Sequence, residues 1–244
     1  ACYQGDVGMH VAKTIWGAKA PTQGRGPDQS VGSIEELGAA YVAGSKAYEE
    51  DEEAKKEIIA INKKVYDRSD EEINKIYDWG RKVSLDYFEI IYQKLGTKFD
   101  FNFFESETGK FGAELVKKNL GKVFEAGENG AIIFPGEKHG LHTRVFINSE
   151  GLPTYEAKEL GLAKIKYDKY PYDLSVVVTG NEINEYFKVL LKSLSLIYPE
   201  LSAKTEHHSH GMLRLPSGKM SSRSGNVVTA EILIEELFLS LDYN

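Results

Sequence analysis

The stretch Leu174-Ser175-Val176-Val177-Val178, followed at once by Thr179-Gly180-Asn181, decides the fold class of this chain. A near-continuous apolar run of this length is typical of a strand in a parallel sheet that is covered on both faces. A helical pattern over 183–198 begins directly after it. In open α/β sheets ligands bind at the carboxyl ends of such strands, so we expect a ligand site immediately after this strand.

The segments around this stretch alternate between strand and helix. Residues 131–134 and 145–148 have strand patterns, whereas 155–163 and 230–241 have helical ones. This alternation predicts an α/β fold with a mostly parallel sheet.

Residues 45–121 form a different region with a helical character. Helices are predicted over 45–68 and over 113–120. Between them a further helix is predicted to begin at a capping box formed by Ser69 and Glu72 and to end at Gly96. No catalytic motif falls in this block.

Composition excludes several classes of protein. The 244 residues carry 30 Lys and Arg against 37 Asp and Glu, a net charge of −7, which argues against a small protein that coats nucleic acid by bulk charge. Cys2 is the one cysteine, so an internal disulfide is excluded and a reducing, cytoplasmic location is expected. No apolar stretch approaches the roughly 20 residues of a membrane span, and no membrane partner is expected. Because the chain begins at Ala1, we expect a piece of a longer protein.

Positive charge is concentrated near the end of the chain. Between His207 and Ala230 lie three cations, Arg214, Lys219 and Arg223, and no carboxylate. Gly218 and Gly225 bracket this hydroxyl-rich loop, a composition that suits an anion-binding flap. An ordinary basic surface turn is the alternative from composition alone.

Five short segments resemble motifs of class I aminoacyl-tRNA synthetases, in the order found in the arginyl-tRNA synthetase family. Lys219-Met220-Ser221-Ser222-Arg223 is similar to the K-M-S-K-S loop, and His210-Gly211-Met212 resembles the adenine-side segment before it. The other three resemblances are Gly5-Asp6-Val7-Gly8-Met9-His10 to G-D-W-G-x-Q, the segment 151–163 to D-G-T-x-x-Y-x-x-x-D-I-A, and the segment 177–182 to V-x-G-A-D-H.

The resemblance implies a Rossmann-like parallel sheet with a helical insertion. The implied domains are 1–44, part of the first half of the catalytic domain, 45–130, the helical insertion, and 131–244, the second half with the K-M-S-K-S-like loop. The chain contains no H-x-G-H motif, and we expect that motif upstream of Ala1. The tRNA-binding N- and C-terminal domains are likewise expected in parts of the protein outside this chain. We therefore expect the isolated chain to be inactive or nearly so.

The same resemblance implies an arginine–tRNA ligase that uses ATP, Mg²⁺ bound with the ATP, arginine and tRNA. Its implied catalytic residues are Lys219, Ser222 and Arg223, the last a cation displaced from the family's second lysine. The implied ATP-binding residues are His210, Gly211, Met212, Leu213, Lys219, Met220 and Ser221.

The implied arginine-binding residues are Tyr155, Glu159, Asn181 and Glu182. Tyr155 and Glu159 are four residues apart on a predicted helix and share one face. A carboxylate is the acceptor that a guanidinium prefers, and Glu159 stands where the family has aspartate. A solvated helical pair is the alternative for these two residues, and a helix cap is the alternative for Asn181.

Other classes stay open at this stage. A different class I synthetase or nucleotidyltransferase would keep the Lys219 loop without the Tyr155 and Glu159 pair, and a non-catalytic ATP- or amino-acid-binding module would explain the absent H-x-G-H. His207, His208 and His210 lack a nearby carboxylate or cysteine to complete a metal set, so no protein-bound structural metal is expected.

Overall fold

The computed structural model describes residues 1–19, 33–212 and 231–235. Its helices and strands follow one another as β1 (Cys2–Gln4), α1 (Met9–Lys19), α2 (Ile34–Glu50), α3 (Glu52–Asp67), α4 (Glu71–Lys94), β2 (Asn102–Phe104), α5 (Glu105–Lys118), β3 (Glu125–Ala126), β4 (Ile132–Phe134), β5 (Arg144–Ile147), α6 (Tyr155–Lys169), β6 (Ser175–Gly180), α7 (Asn184–Ile197), α8 (Pro199–Ala203) and β7 (Thr205–His210). Residues 231–235 are also helical. Helices and parallel strand pairs together make the fold α/β, as predicted.

The chain forms two compact units. Unit 1 comprises residues 1–4 and 101–213, and unit 2 comprises 5–100 and 214–244. These boundaries differ from the domains 1–44, 45–130 and 131–244 that the resemblance implies, because β2, α5 and β3 belong to unit 1. The division into two compact units does not show which segments are insertions in the family's catalytic domain, so the implied domain bounds stay a prediction.

The described part of unit 2 is helical, and local capping decides where its helices begin. The predicted helix over 45–68 is in fact two helices, since the Asp51 side chain accepts hydrogen bonds from the backbone of Glu53 and Ala54 and starts α3 there. The predicted cap at Ser69 is also wrong by one residue: Asp70 caps α4. Apolar side chains of α1, α3 and α4 form the core of this unit, among them Ile15, Ile58, Val65 and Ile73.

Unit 1 contains two parallel strand pairs. β1 pairs with β2, and β6 pairs with β7 in a register that places Gly180 opposite His210. The parallel direction predicted for the strand at 174–179 is therefore confirmed. The carboxyl ends of β6 and β7 lie side by side, which is where an α/β sheet binds its ligand.

Two predictions about the sheet are wrong. The strands predicted at 131–134 and 145–148 form an antiparallel sheet with β3 in the order β3-β4-β5, instead of joining a parallel sheet. Within the described ranges β6 pairs with β7 alone and is an edge strand. Its outer face is exposed, since Val176 is 49% and Val178 65% accessible. An apolar composition favours a strand but does not determine what covers it.

Close helix packing positions α6, the helix that carries Tyr155 and Glu159. At Gly161 a Cβ atom would lie 2.8 Å from the Gly112 nitrogen of α5 and would also collide with the Thr108 carbonyl. Glycine is therefore required for the two backbones to approach this closely. The core of unit 1 includes Phe124, Phe134, Phe146, Leu160 and Phe187.

Among the described helices, none combines the length and apolar content that crossing a lipid bilayer requires.

Candidate functional site

The ends of β6 and β7 bring two predicted ligand segments together. Asn181 and Glu182 follow β6 directly, and Gly211 and Met212 follow β7. Gly180 is paired with His210, and a Cβ at Gly180 would lie 2.8 Å from the Met212 sulfur. The segment after one strand therefore lies against the end of the other.

The side chains at this edge are accessible. Asn181, Glu182, His210 and Met212 are all exposed, and His210 Nδ1 lies 2.8 Å from the Gly211 carbonyl oxygen. Residues 181–183 form a 3₁₀ turn, and α7 begins after Ile183 without a side-chain cap. The alternative that Asn181 caps the following helix is thus excluded, and its amide is available to a ligand.

Tyr155 and Glu159 lie one turn apart on α6, as predicted. Tyr155 is the first residue of the helix and is 60% accessible, whereas Glu159 is partly buried. The Tyr186 hydroxyl of α7 donates a hydrogen bond to the Tyr155 carbonyl at 3.2 Å. This contact ties the start of α6 to the helix that follows Asn181 and Glu182.

Glu159 belongs to a cluster of charges in which its acidic neighbours are paired. Lys158 Nζ lies 2.6 Å from Glu105, and Arg144 lies 3.4 Å from Glu156. Within the part of the chain that the structure describes, the Glu159 carboxyl has no ion pair within 4.0 Å and no hydrogen bond. It is the acid of this cluster that a cationic ligand would neutralise.

The surroundings of Glu159 disfavour its charged form. Burial raises the pKa of Glu159 to about 7, Lys166 opposes the rise and Glu105 adds to it. The charge of Lys166 does not fully offset the effect of burial on the pKa of Glu159. Burial also lowers the pKa of Lys166 itself, and the Lys166 Nζ donates a hydrogen bond to the Ser175 hydroxyl at 2.6 Å. Burial and the nearby carboxylates also hold the pKa of Tyr186 well above its usual range. A bound cation would reverse this balance and favour the carboxylate.

Glu105 and Lys158 are members of this cluster that the sequence analysis missed. Glu105 is the first residue of α5, directly after β2, and Lys158 precedes Glu159 on α6. Lys158 Nζ also lies 5.1 Å from the centre of the Tyr155 ring, so one cation contacts both Glu105 and Tyr155. The position of Glu105 at the end of a strand is the signal that would have drawn attention to it.

A family model described as "tRNA synthetases class I (R), catalytic domain" matches residues 3–240. The chain belongs to this family. It is 30% identical to the arginine–tRNA ligase of Amoebophilus asiaticus and 29% identical to that of Porphyromonas gingivalis, each match covering 95% of this chain. It spans 42% of the length of these curated relatives.

The class I arginyl-tRNA synthetase fold is supported by a solved structure as well. The arginyl-tRNA synthetase of Plasmodium falciparum aligns with 99% of this chain and 40% of its own, at a TM-score of 0.65 and 16% identity. Membership of this synthetase family confirms the fold class inferred from the sequence motifs.

The K-M-S-K-S-like loop of this arginyl-tRNA synthetase domain lies outside the described residues. Its predicted catalytic and ATP-binding residues Leu213, Lys219, Met220, Ser221, Ser222 and Arg223 are therefore without a structural description. Within the described ranges, no group of three His, Cys, Asp or Glu side chains is arranged to hold a metal.

Proposed function

We propose that the protein joins arginine to its tRNA through an arginyl-adenylate, and that this chain carries the arginine pocket and part of the ATP site. The observation that carries the proposal is the Glu159 carboxyl, partly buried and without a cation in ion-pair distance among the described residues. Membership of the arginine-specific catalytic-domain family supports arginine as the cation that fills this place.

Arginine recognition is assigned to Tyr155, Glu159, Asn181 and Glu182. A carboxylate accepts two parallel hydrogen bonds from a guanidinium, which gives both strength and direction. The Tyr155 ring offers a face to the same group, since arginine stacks on aromatic rings. Asn181 and Glu182 are polar and exposed at the end of β6, where they suit the substrate's amino and carboxylate groups or the ribose of ATP.

ATP is assigned to the ends of β6 and β7 and to the Lys219 loop. The backbone of His210, Gly211 and Met212 would hold adenine, with Leu213 continuing that segment. In the first step an arginine carboxylate oxygen attacks the α-phosphorus, and pyrophosphate leaves. Negative charge grows on the phosphate oxygens, so Lys219 and Arg223, with the hydroxyls of Ser221 and Ser222, would stabilise the transition state. Met220 lies within the same loop.

Mg²⁺ would arrive on the phosphates of ATP, and its charge would offset theirs. The second step transfers the arginyl group to the tRNA terminus, which makes tRNA a partner of the complete protein. We also propose a cytoplasmic location, on the sequence evidence given above.

The test is arginine-dependent exchange of pyrophosphate into ATP by the complete protein. Exchange is expected with arginine and not with lysine or citrulline. Lys219→Ala should lower the exchange rate at least a hundredfold while arginine affinity changes little, because Lys219 acts on charge that develops in the transition state. The matched control is Lys188→Ala, an exposed lysine of α7. Exchange that arginine does not stimulate, or equal losses in both variants, would overturn the proposal.

A further inference from the structure

His207 connects the two parallel strands to the helix beneath them. Its ring lies flat against that of Phe187 of α7, with centroids 3.8 Å apart and planes inclined by 1°. Its Nε2 lies 2.7 Å from the Thr179 hydroxyl of β6. One imidazole on β7 therefore contacts both β6 and α7.

This contact lies directly before the proposed nucleotide edge. Thr179 precedes Gly180, which is paired with His210 and lies against Met212. The Thr179 hydroxyl is also 3.1 Å from the Gly180 carbonyl oxygen. The conformation of Thr179 is thus linked to the backbone from which the ligand segment starts.

The His207 ring packs on a buried aromatic surface. Phe187 is only 2% accessible and belongs to the core of unit 1, so the imidazole stacks on a core side chain. Burial lowers the pKa of His207, and the neighbouring His208 lowers it further, so the surroundings favour the neutral ring. A neutral imidazole has one donor and one acceptor nitrogen, and so it can pair with a hydroxyl in either direction.

We propose that His207 is a positioning residue for ATP: through Thr179 it fixes the end of β6 in the conformation that receives the nucleotide. His207 itself contacts neither ATP nor arginine in this role. The proposal rests on the proposed function, because it takes the ends of β6 and β7 as the nucleotide edge.

Separate measurements of ATP and arginine dissociation constants, made on the complete protein, test this role. His207→Phe keeps a flat ring against Phe187 and removes the hydrogen bond, and Thr179→Val removes the other partner. Each should weaken ATP binding about three- to tenfold, the usual effect of one lost hydrogen bond, with arginine binding within about twofold of wild type. The double variant should lose no more than Thr179→Val alone, because that variant already removes the contact with His207 together with the contact to the Gly180 carbonyl.

Two further variants make the result specific. His207→Gln keeps a hydrogen-bonding group and should recover part of the ATP affinity. His208→Gln is the matched control, since His208 is the next residue on β7, is exposed, and contacts Glu206 at 3.1 Å. It should bind ATP as wild type does. Arginine binding by every variant checks that the fold is intact.

Three results would overturn the proposal. ATP affinity unchanged in His207→Phe would remove the role of the contact, and equal weakening of ATP and arginine would reduce His207 to a general stabilising residue. A wild-type protein that binds no ATP would contradict the proposed function and this inference together, whereas the first two results contradict the inference alone.

Discussion

Lys158 Nζ lies 2.6 Å from a carboxylate oxygen of Glu105, and the two side chains are only 4% and 8% accessible. This buried pair joins α6 to α5 immediately beside Glu159. The pairing of Lys158 with Glu105 leaves the Glu159 carboxyl, whose pKa is raised to about 7, as the group that a bound cation would ionise. The pair thus has both a packing role and an electrostatic one.

Breaking this pair should destabilise the fold. Lys158→Met leaves the Glu105 carboxylate buried without a partner, which costs about 3–5 kcal/mol in free energy of unfolding. Adding Glu105→Gln to Lys158→Met removes the stranded charge and should recover much of that loss. Urea unfolding of the wild type and the variants measures the effect.

The exposed ion pair between Lys188 and Glu185 supplies the control. Lys188→Met should change the free energy of unfolding by no more than about 1 kcal/mol, because water already screens that pair. A loss for Lys158→Met as small as that for Lys188→Met would show that the buried pair contributes little.

Arginine binding should weaken as the pH falls below 7. The pKa of Glu159 in the free protein is raised to about 7, and a bound guanidinium would lower it, so binding expels a proton. Below that pKa the carboxyl is protonated and must first ionise, which predicts about a tenfold lower affinity at pH 6 than at pH 8. Calorimetry in buffers of different ionisation enthalpy should detect release of about half a proton at pH 7.

Two variants identify the titrating group. Glu159→Gln should abolish the pH dependence between pH 6 and 8. Lys166→Met removes the cation that opposes the pKa rise and should move the midpoint to higher pH. Affinity that stays constant over this range in the wild type would show that Glu159 is already ionised in the free protein.

Close contact between α5 and α6 should not tolerate a larger residue. In Gly161→Ala the new methyl group would lie 2.8 Å from the Gly112 nitrogen, so the helices must separate, at a cost of about 1–3 kcal/mol. Gly38→Ala in α2 is the control, because no described atom lies within 4 Å of the new methyl group. It should stabilise the protein by up to about 1 kcal/mol. Thermal or urea unfolding of both variants measures the change in the free energy of unfolding. Equal changes in the two variants would contradict the close packing of α5 and α6.

Local sequence patterns predicted individual elements well and their partners poorly. The parallel strand at 174–179 and the helix from Tyr155 were predicted because their apolar periodicity lies within one segment. The antiparallel partners of β4 and the exposed face of β6 depend on residues distant in the chain, which no local pattern contains.

The residues of the candidate site were likewise predicted where a local motif contains them and missed where distant segments come together. Glu159 was found through a motif, whereas Glu105 is 53 residues from Lys158 and becomes its partner only when α5 and α6 pack. The contact between His207 and Thr179 likewise spans 28 residues and two strands. The break at Asp51 was missed because the charged residues on both sides favour helix equally, and a single cap decides the boundary.

The central claim, that Glu159 receives the guanidinium of arginine, is tested most directly by calorimetric titration of arginine into the complete protein at pH 8. Glu159→Gln keeps the shape and removes the charge, so it should weaken arginine binding by about 2–5 kcal/mol, with Glu159→Asp much less affected and citrulline binding poorly to the wild type. Arginine binding by Glu159→Gln within about twofold of wild type, roughly 0.4 kcal/mol, would contradict the assignment of the arginine pocket to α6.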